Sequence, residues 1–132
     1  MSDVFEVSVP WVPPKDANPN DHHNSERTKI RRRKAGASDS VLAIRAARMA
    51  VGDGPLFTTP VYLDIEIRWP AERRIGRLWD SDAVVTCFKY VRDVLEKEGV
   101  VANDSLIQVG TVTQVKKCAL AESVLRLREV GS

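Results

Sequence analysis

Between residues 79 and 107 the chain reads WDSDAVVTCFKYVRDVLEKEGVVANDSLI. Asp80 and Asp82 stand one residue apart, and Asp104 follows the same segment with Asn103 beside it. Two carboxylates so spaced, joined by a third from elsewhere, suit a hard cation such as Mg2+, which takes oxygen ligands and keeps several waters. Such an ion polarises a phosphodiester, activates a water and stabilises the leaving oxygen. The same two aspartates equally suit the first turn of a helix, where acids are favoured. Asp-x-Asp alone does not separate these readings. Lys89 falls near one line with Asp82, Thr86 and Asp93 at about 100° per residue. Its side chain leans toward the helix N-terminus, where an ammonium neutralises charge developing on a phosphate. It also suits a surface ion pair with Asp93, four residues on.

The cations are grouped. Arg27, Lys29, Arg31, Arg32, Arg33 and Lys34 fill six of eight positions, and Arg73, Arg74 and Arg77 immediately precede the acids. As two walls of one groove, these runs would grip a phosphate backbone, the contact that dominates nucleic-acid affinity; a solvated charged face is the plainer alternative. Trp79 is placed either to stack on a base or to pack in a core. His22 and His23 are read as surface-loop residues, and no glycine phosphate loop, nucleophile elbow or zinc spacing is present.

The elements that must position these residues are read from periodicity. Phe5, Val7, Val9 and Trp11 alternate with polar neighbours as a half-buried strand, which Pro10, Pro13 and Pro14 end. Residues 12–36 read as a long irregular loop, basic in its second half, of the kind that is usually functional or disordered. Asp39 or Ser40 is expected to cap a helix through VLAIRAARMAV, which Gly52 and Gly54 stop. PVYLDIEIRWP alternates without a break and is the clearest strand. Val84, Phe88, Val91 and Leu95, widened by Cys87 and Val94, give a second helix its apolar stripe, and Gly99 ends it. Two strands follow, LIQVGTVTQVKK and SVLRLREV, with a bulge expected at Gly110 because the alternation slips there. The expected fold is α+β: a single domain over residues 1–132, one mixed sheet with two α-helices packed on it, in the order strand, loop, helix, strand, helix, strand, strand.

Composition sets the bounds. Of 132 residues, 43% are hydrophobic and 29% charged, ordinary for a globular domain, and the net charge of +2 leaves charge distribution more informative than its sum. Cys87 and Cys118 make neither a disulfide framework nor a zinc pattern, which fits a reducing compartment. The N-terminus lacks a signal-peptide pattern, and no apolar run approaches the roughly 20 residues that span a bilayer. The sequence is therefore expected to be soluble and cytoplasmic, with no membrane partner.

DSD…FKYVRDVLEKEGVVANDSLI resembles the signature region of the RusA-type Holliday junction resolvases, small crossover-junction endodeoxyribonucleases of bacteria and their phages. Asp80 and Asp82 match the first acid pair of that family, Lys89 its helix lysine, Asp93-Val94-Leu95 its D-A-L, and Asn103-Asp104 its later acid pair. VPWVPPKDANPNDHH is similar to the family's opening. The pattern differs at Ala83, where the family has asparagine, at Asn103, where it has an acid, and by about three extra residues before Lys89. The resemblance implies a homodimer that binds four-way DNA junctions and makes paired symmetric nicks with Mg2+ or Mn2+. It implies metal ligands Asp80, Asp82 and Asp104, with Lys89 beside the reacting phosphate. Lys29, Arg31, Arg32, Arg33, Lys34, Arg73, Arg74 and Arg77 are then the expected DNA contacts. A catalytically weakened branched-DNA-binding module is the alternative, on account of Ala83 and Asn103. A helix from Asp82 to Glu98 would be roughly 25 Å long, and the five residues before Asp104 reach at most about 17 Å. Either the helix starts after Asp82, the expected arrangement, or Asp104 completes the partner's site.

Overall fold

The computed structural model describes residues 4–52 and 54–131. It is an α+β fold: one mixed four-stranded sheet with three α-helices. Strand β1 (Val4–Val9) buries Phe5, Val7 and Val9 and exposes the residues between them. Strand β2 (Val61–Pro70) buries Val61, Leu63, Ile65, Ile67 and Trp69, the face its period of two marked out. Strands β3 (Ile107–Cys118) and β4 (Glu122–Glu129) complete the sheet in the order β1-β4-β2-β3. β4 pairs antiparallel with both β1 and β2. β2 and β3 are parallel, a pairing that requires a crossover connection, here the helical segment between them.

The first helix corrects the sequence reading. Helix α1 spans Glu26–Met49, and Ser25, not Asp39 or Ser40, caps it by accepting from the Thr28 N–H at 3.2 Å. The basic run therefore lies on a helix, and residues 10–25, with a 3-10 turn at Lys15–Ala17, connect β1 to it. The physical reason is local. Arginine, lysine and alanine are good helix formers, no proline interrupts residues 26–49, and two of the cations have internal partners. Lys29 and Arg33, one helical turn apart, are both 6% exposed. The Lys29 Nζ donates to the Pro19 carbonyl at 3.2 Å, and the Arg33 Nε donates to the Ala17 carbonyl at 2.9 Å. Farther along, Gly36 lets α1 meet Trp11: a Cβ there would fall 2.2 Å from the indole ring.

The crossover is also different from one continuous helix. It consists of α2 (Ser81–Cys87) and α3 (Lys89–Lys97), separated at Phe88, whose φ of −98° and ψ of 8° leave the α region. Phe88 still belongs to the apolar stripe: Val84, Cys87, Phe88, Val91 and Leu95 are all fully buried, and Phe88 meets Trp11 edge to face with centroids 5.4 Å apart. Gly99, at φ 78°, turns the chain after α3. The bulge at Gly110 is present: between the pairs Leu63–Val109 and Ile65–Val112, two β3 residues, Gly110 and Thr111, oppose Asp64 alone. Its cause is Asp64, whose carboxylate accepts from the Thr111 N–H at 2.7 Å and lies where a Gly110 Cβ would stand. Arg128 and Thr111 more than offset the desolvation that alone would raise Asp64, and hold its carboxyl below the ordinary range.

Candidate functional site

The acids of interest sit at the two ends of the helical crossover. At one end the chain leaves β2 through residues 71–79 and reaches α2. Asp80 is the residue immediately before α2 and Asp82 lies in its first turn; both are exposed. The helix thus begins before Asp82, which corrects the expected later start. The approach to Asp80 is held from three sides. Trp79 and Gln114 exchange hydrogen bonds, Trp79 N–H to Gln114 Oε1 at 3.1 Å and Gln114 Nε2 to the Trp79 carbonyl at 2.7 Å. The Trp79 ring packs on Trp69 at 5.2 Å, and the Arg73 guanidinium lies 4.6 Å from the Trp69 centroid and 5.7 Å from that of Trp79. Asn20 donates from its side-chain amide to Asp80 Oδ2 at 3.4 Å, so the segment after β1 also reaches this rim.

Asp104 is at the other end. It opens a 3-10 turn, Asp104–Leu106, directly before β3. Its N–H donates to Glu96 Oε1 at 2.7 Å. Its carboxyl lies against that of Asp93: burial, the hydrogen bond to Asp104 and Asp104's charge together raise the Asp93 pKa above the ordinary value. The run of β3 from Ile107, next to this turn, to Gln114, next to Trp79, extends roughly 20 Å. One chain therefore does not gather Asp80, Asp82 and Asp104. Among the described residues no three His, Cys, Asp or Glu side chains are placed to hold a metal ion. Asp80 and Asp82 by themselves still fit Mg2+, which is commonly bound by one or two carboxylates with waters and substrate phosphates filling the remaining positions.

The basic residues divide into braces and free cations. Lys29 and Arg33 are turned into the protein, as described. Arg73 is a brace as well: it donates to the Pro13 carbonyl at 2.8 Å, and burial lowers its pKa. Arg32 pairs with Asp16 at 2.8 Å. Arg31, Lys34, Arg74 and Arg77 are exposed, and none of them has an ion-pair partner among the described residues. Lys89 is exposed as the first residue of α3. It shares Tyr90 with Lys34, the two ammonium groups lying 5.7 and 5.4 Å from the ring centroid. This contact brings the α1 basic run and the lysine of the acidic segment to one ridge.

Sequence reading missed Asn20, Gln114, Lys15, Lys116 and Lys117, all of which converge on the Asp80 end. For Gln114, Lys116 and Lys117 the signal lies in strand pairing register, not in a motif, and Lys15 and Asn20 arrive through the fold of the segment after β1. Of the two departures from the acid pattern, Ala83 is buried, and Asn103 uses its side-chain oxygen to cap the 3-10 turn, accepting from the Ser105 N–H at 2.8 Å. No family model matches this chain, and no curated protein matches it. Among the described residues no helix is long and apolar enough to cross a membrane.

Proposed function

We propose that this chain is a metal-dependent, structure-selective DNA endonuclease of the RusA type, acting as a homodimer on four-way junctions by paired symmetric nicks. The observation that carries this reading is the Asp80–Asp82 rim. Two exposed carboxylates follow closely in sequence on the exposed Arg74 and Arg77, and neither aspartate is neutralised by an ion pair among the described residues. Acids alone would repel DNA, and cations that paired with them would leave neither group available. Acids and cations on one segment that leave each other unpaired suit a metal and a phosphodiester together.

In this reading Asp80 and Asp82 hold Mg2+ or Mn2+, and Asp104 of a second protomer supplies the third carboxylate. When bound, the metal lowers the pKa of a coordinated water and polarises the phosphate. Lys89 offsets charge developing on that phosphate, Asn20 orients Asp80, and the Trp69–Arg73–Trp79 stack keeps the rim from shifting. Arg31, Lys34, Arg74 and Arg77 take backbone phosphates. Two equivalent sites in a two-fold dimer match the two symmetric strands that must be cut. A second reading, a branched-DNA-binding module without cleavage, is favoured by Asn103. Its carbonyl is engaged as a turn cap, where the family pattern has a charged ligand.

The test is incubation of the purified protein with a synthetic four-way junction and Mg2+ or Mn2+, beside Asp82→Asn. Paired nicks that disappear in the variant are the expected outcome. Junction binding without nicking in either metal selects the binding module. Equal affinity for junction and linear duplex, with no nicking, eliminates both.

A further inference from the structure

Beyond the rim, β3 ends in a feature that neither the acid pattern nor the arginine run accounts for. Val115 and Cys118 of β3 oppose Arg68 and Pro70 of β2, so one extra residue is inserted at Lys116–Lys117. Lys117 sits at φ 58°, the only non-glycine residue with positive φ among those described. That region favours glycine, and a lysine held there is a constraint that the surroundings must maintain. The surroundings do so: the Ala71 N–H donates to the Cys118 carbonyl at 3.0 Å, closing the end of the sheet, and the Lys116 Nζ donates to the Gly76 carbonyl at 3.0 Å.

A bulge re-aims side chains that regular pleating would send to opposite faces. Here Lys116 and Lys117 both line one hollow of about 220 Å3 with Arg74 and Gly76. Across the Arg73–Gly76 strip lies a second hollow of about 250 Å3, lined by Lys15, Arg74, Arg77 and Trp79. Neither reaches the roughly 300–1,000 Å3 that encloses a small-molecule ligand, and both are lined by cations. Lys117, Arg74 and Arg77 are exposed and have no ion-pair partner among the described residues.

We infer that the Lys116–Lys117 bulge and the Arg74–Arg77 loop form a two-sided clamp on the phosphodiester backbone of a duplex DNA arm leading to the Asp80–Asp82 rim. Arg74 stands between the hollows and serves both. The Arg73 brace and the Lys116–Gly76 contact fix the spacing between the two sides. The clamp rests on the DNA reading above, but not on cleavage.

Lys117→Gly tests it well, because glycine suits the backbone at that position while the side chain and its charge are removed. Arg74→Gln is the second variant, and Arg126→Gln, on the open face of the sheet, is the charge-matched control. Affinity for a linear duplex and for a four-way junction is measured by fluorescence anisotropy over a salt series, with thermal midpoints alongside. Lys117→Gly and Arg74→Gln are each expected to lose roughly five- to tenfold in affinity for both DNAs near 0.1 M salt, and about 0.9 from the slope of log K against log salt. The control stays within about twofold, and the midpoint of Lys117→Gly is equal to wild type or higher. Wild-type slopes in both variants overturn the clamp while leaving DNA binding intact. Losses confined to the junction overturn its placement on an arm. A wild-type protein that binds neither DNA removes the DNA reading and the clamp with it, whereas binding that obeys the clamp prediction without nicking removes only the nuclease.

Discussion

At the scale of single residues, the acidic segment contains an unfavourable contact that the fold retains. Burial first, and then the hydrogen bond and charge of Asp104 pressed against it beside Glu96, put the folded pKa of Asp93 above its ordinary value of 3.8. The sign of the consequence is fixed. Below the ordinary value both the folded and the unfolded chain carry a protonated Asp93, and the contact is a hydrogen bond. As pH rises through the higher folded pKa, the folded state alone must hold two like charges in contact, so stability is lost. Asp93→Asn keeps a donor for Asp104 and removes one charge. Its thermal midpoint is expected to exceed wild type at pH 7 and to converge with it near pH 3; a gain that is larger at pH 3 than at pH 7 would refute this account. Asp93 was legible in the sequence as a helix residue four positions beyond Lys89 and as the first residue of the D-A-L match. Its contact with Asp104 depends on how the chain turns after Gly99, which spacing along a helix does not encode.

Elements were legible where one period governed the whole segment. β2 alternates over nine residues, Val61 to Trp69, because one face meets the helices and the other carries ion pairs such as Arg128–Asp64 and Arg68–Glu122. The apolar stripe of the crossover was legible for the same reason, although the break at Phe88 was not. There the spacing of buried residues is preserved while the backbone leaves the helix, so periodicity alone shows nothing. α1 was misread at its start because its inward face is built from cations. A stripe of Lys29, Arg33, Gly36, Ala37, Ser40 and Ile44 has almost no hydrophobic signal in its first half, yet all six are buried. Long basic side chains achieve this by burying their stems and sending their polar ends to backbone carbonyls. The basic run therefore divides by position, not by composition. Arg33→Ala is expected to lower unfolding free energy by about 2 kcal/mol in urea titrations, since it leaves the Ala17 carbonyl with only the weak Cys87 thiol donor at 3.4 Å and empties a buried volume. Arg31→Ala, two residues away and exposed, is expected to stay within about 0.5 kcal/mol of wild type. Equal losses in the two would mean that the run is a uniform surface face after all.

At the scale of the whole molecule, the parallel pairing of β2 with β3 decides where the acids lie. A crossover between parallel strands must return the chain to the starting edge of the sheet. Asp80 and Asp82 therefore stand at its outgoing end and Asp104 at its return, whatever side chains lie between. The short reach of the five residues before Asp104 already posed the choice between a late helix start and a shared site, and the start of α2 at Ser81 removes the first option. A two-fold axis across the middle of such a crossover sets the return end of one copy beside the outgoing end of the other, and it does so twice. The proposed nuclease then has a property that a single-chain site lacks. Asp82→Asn and Asp104→Asn are each expected to abolish junction nicking as homodimers. When the two variants are unfolded together and refolded as a mixture, about half of the dimers are mixed. Each mixed dimer places both substitutions in one site and leaves the other site with wild-type Asp80, Asp82 and Asp104, so about a quarter of wild-type nicking sites return, as single nicks rather than paired ones. Sites built within one chain carry a lesion in every protomer and restore none, so a mixture as inactive as its components would place Asp104 outside the partner's site.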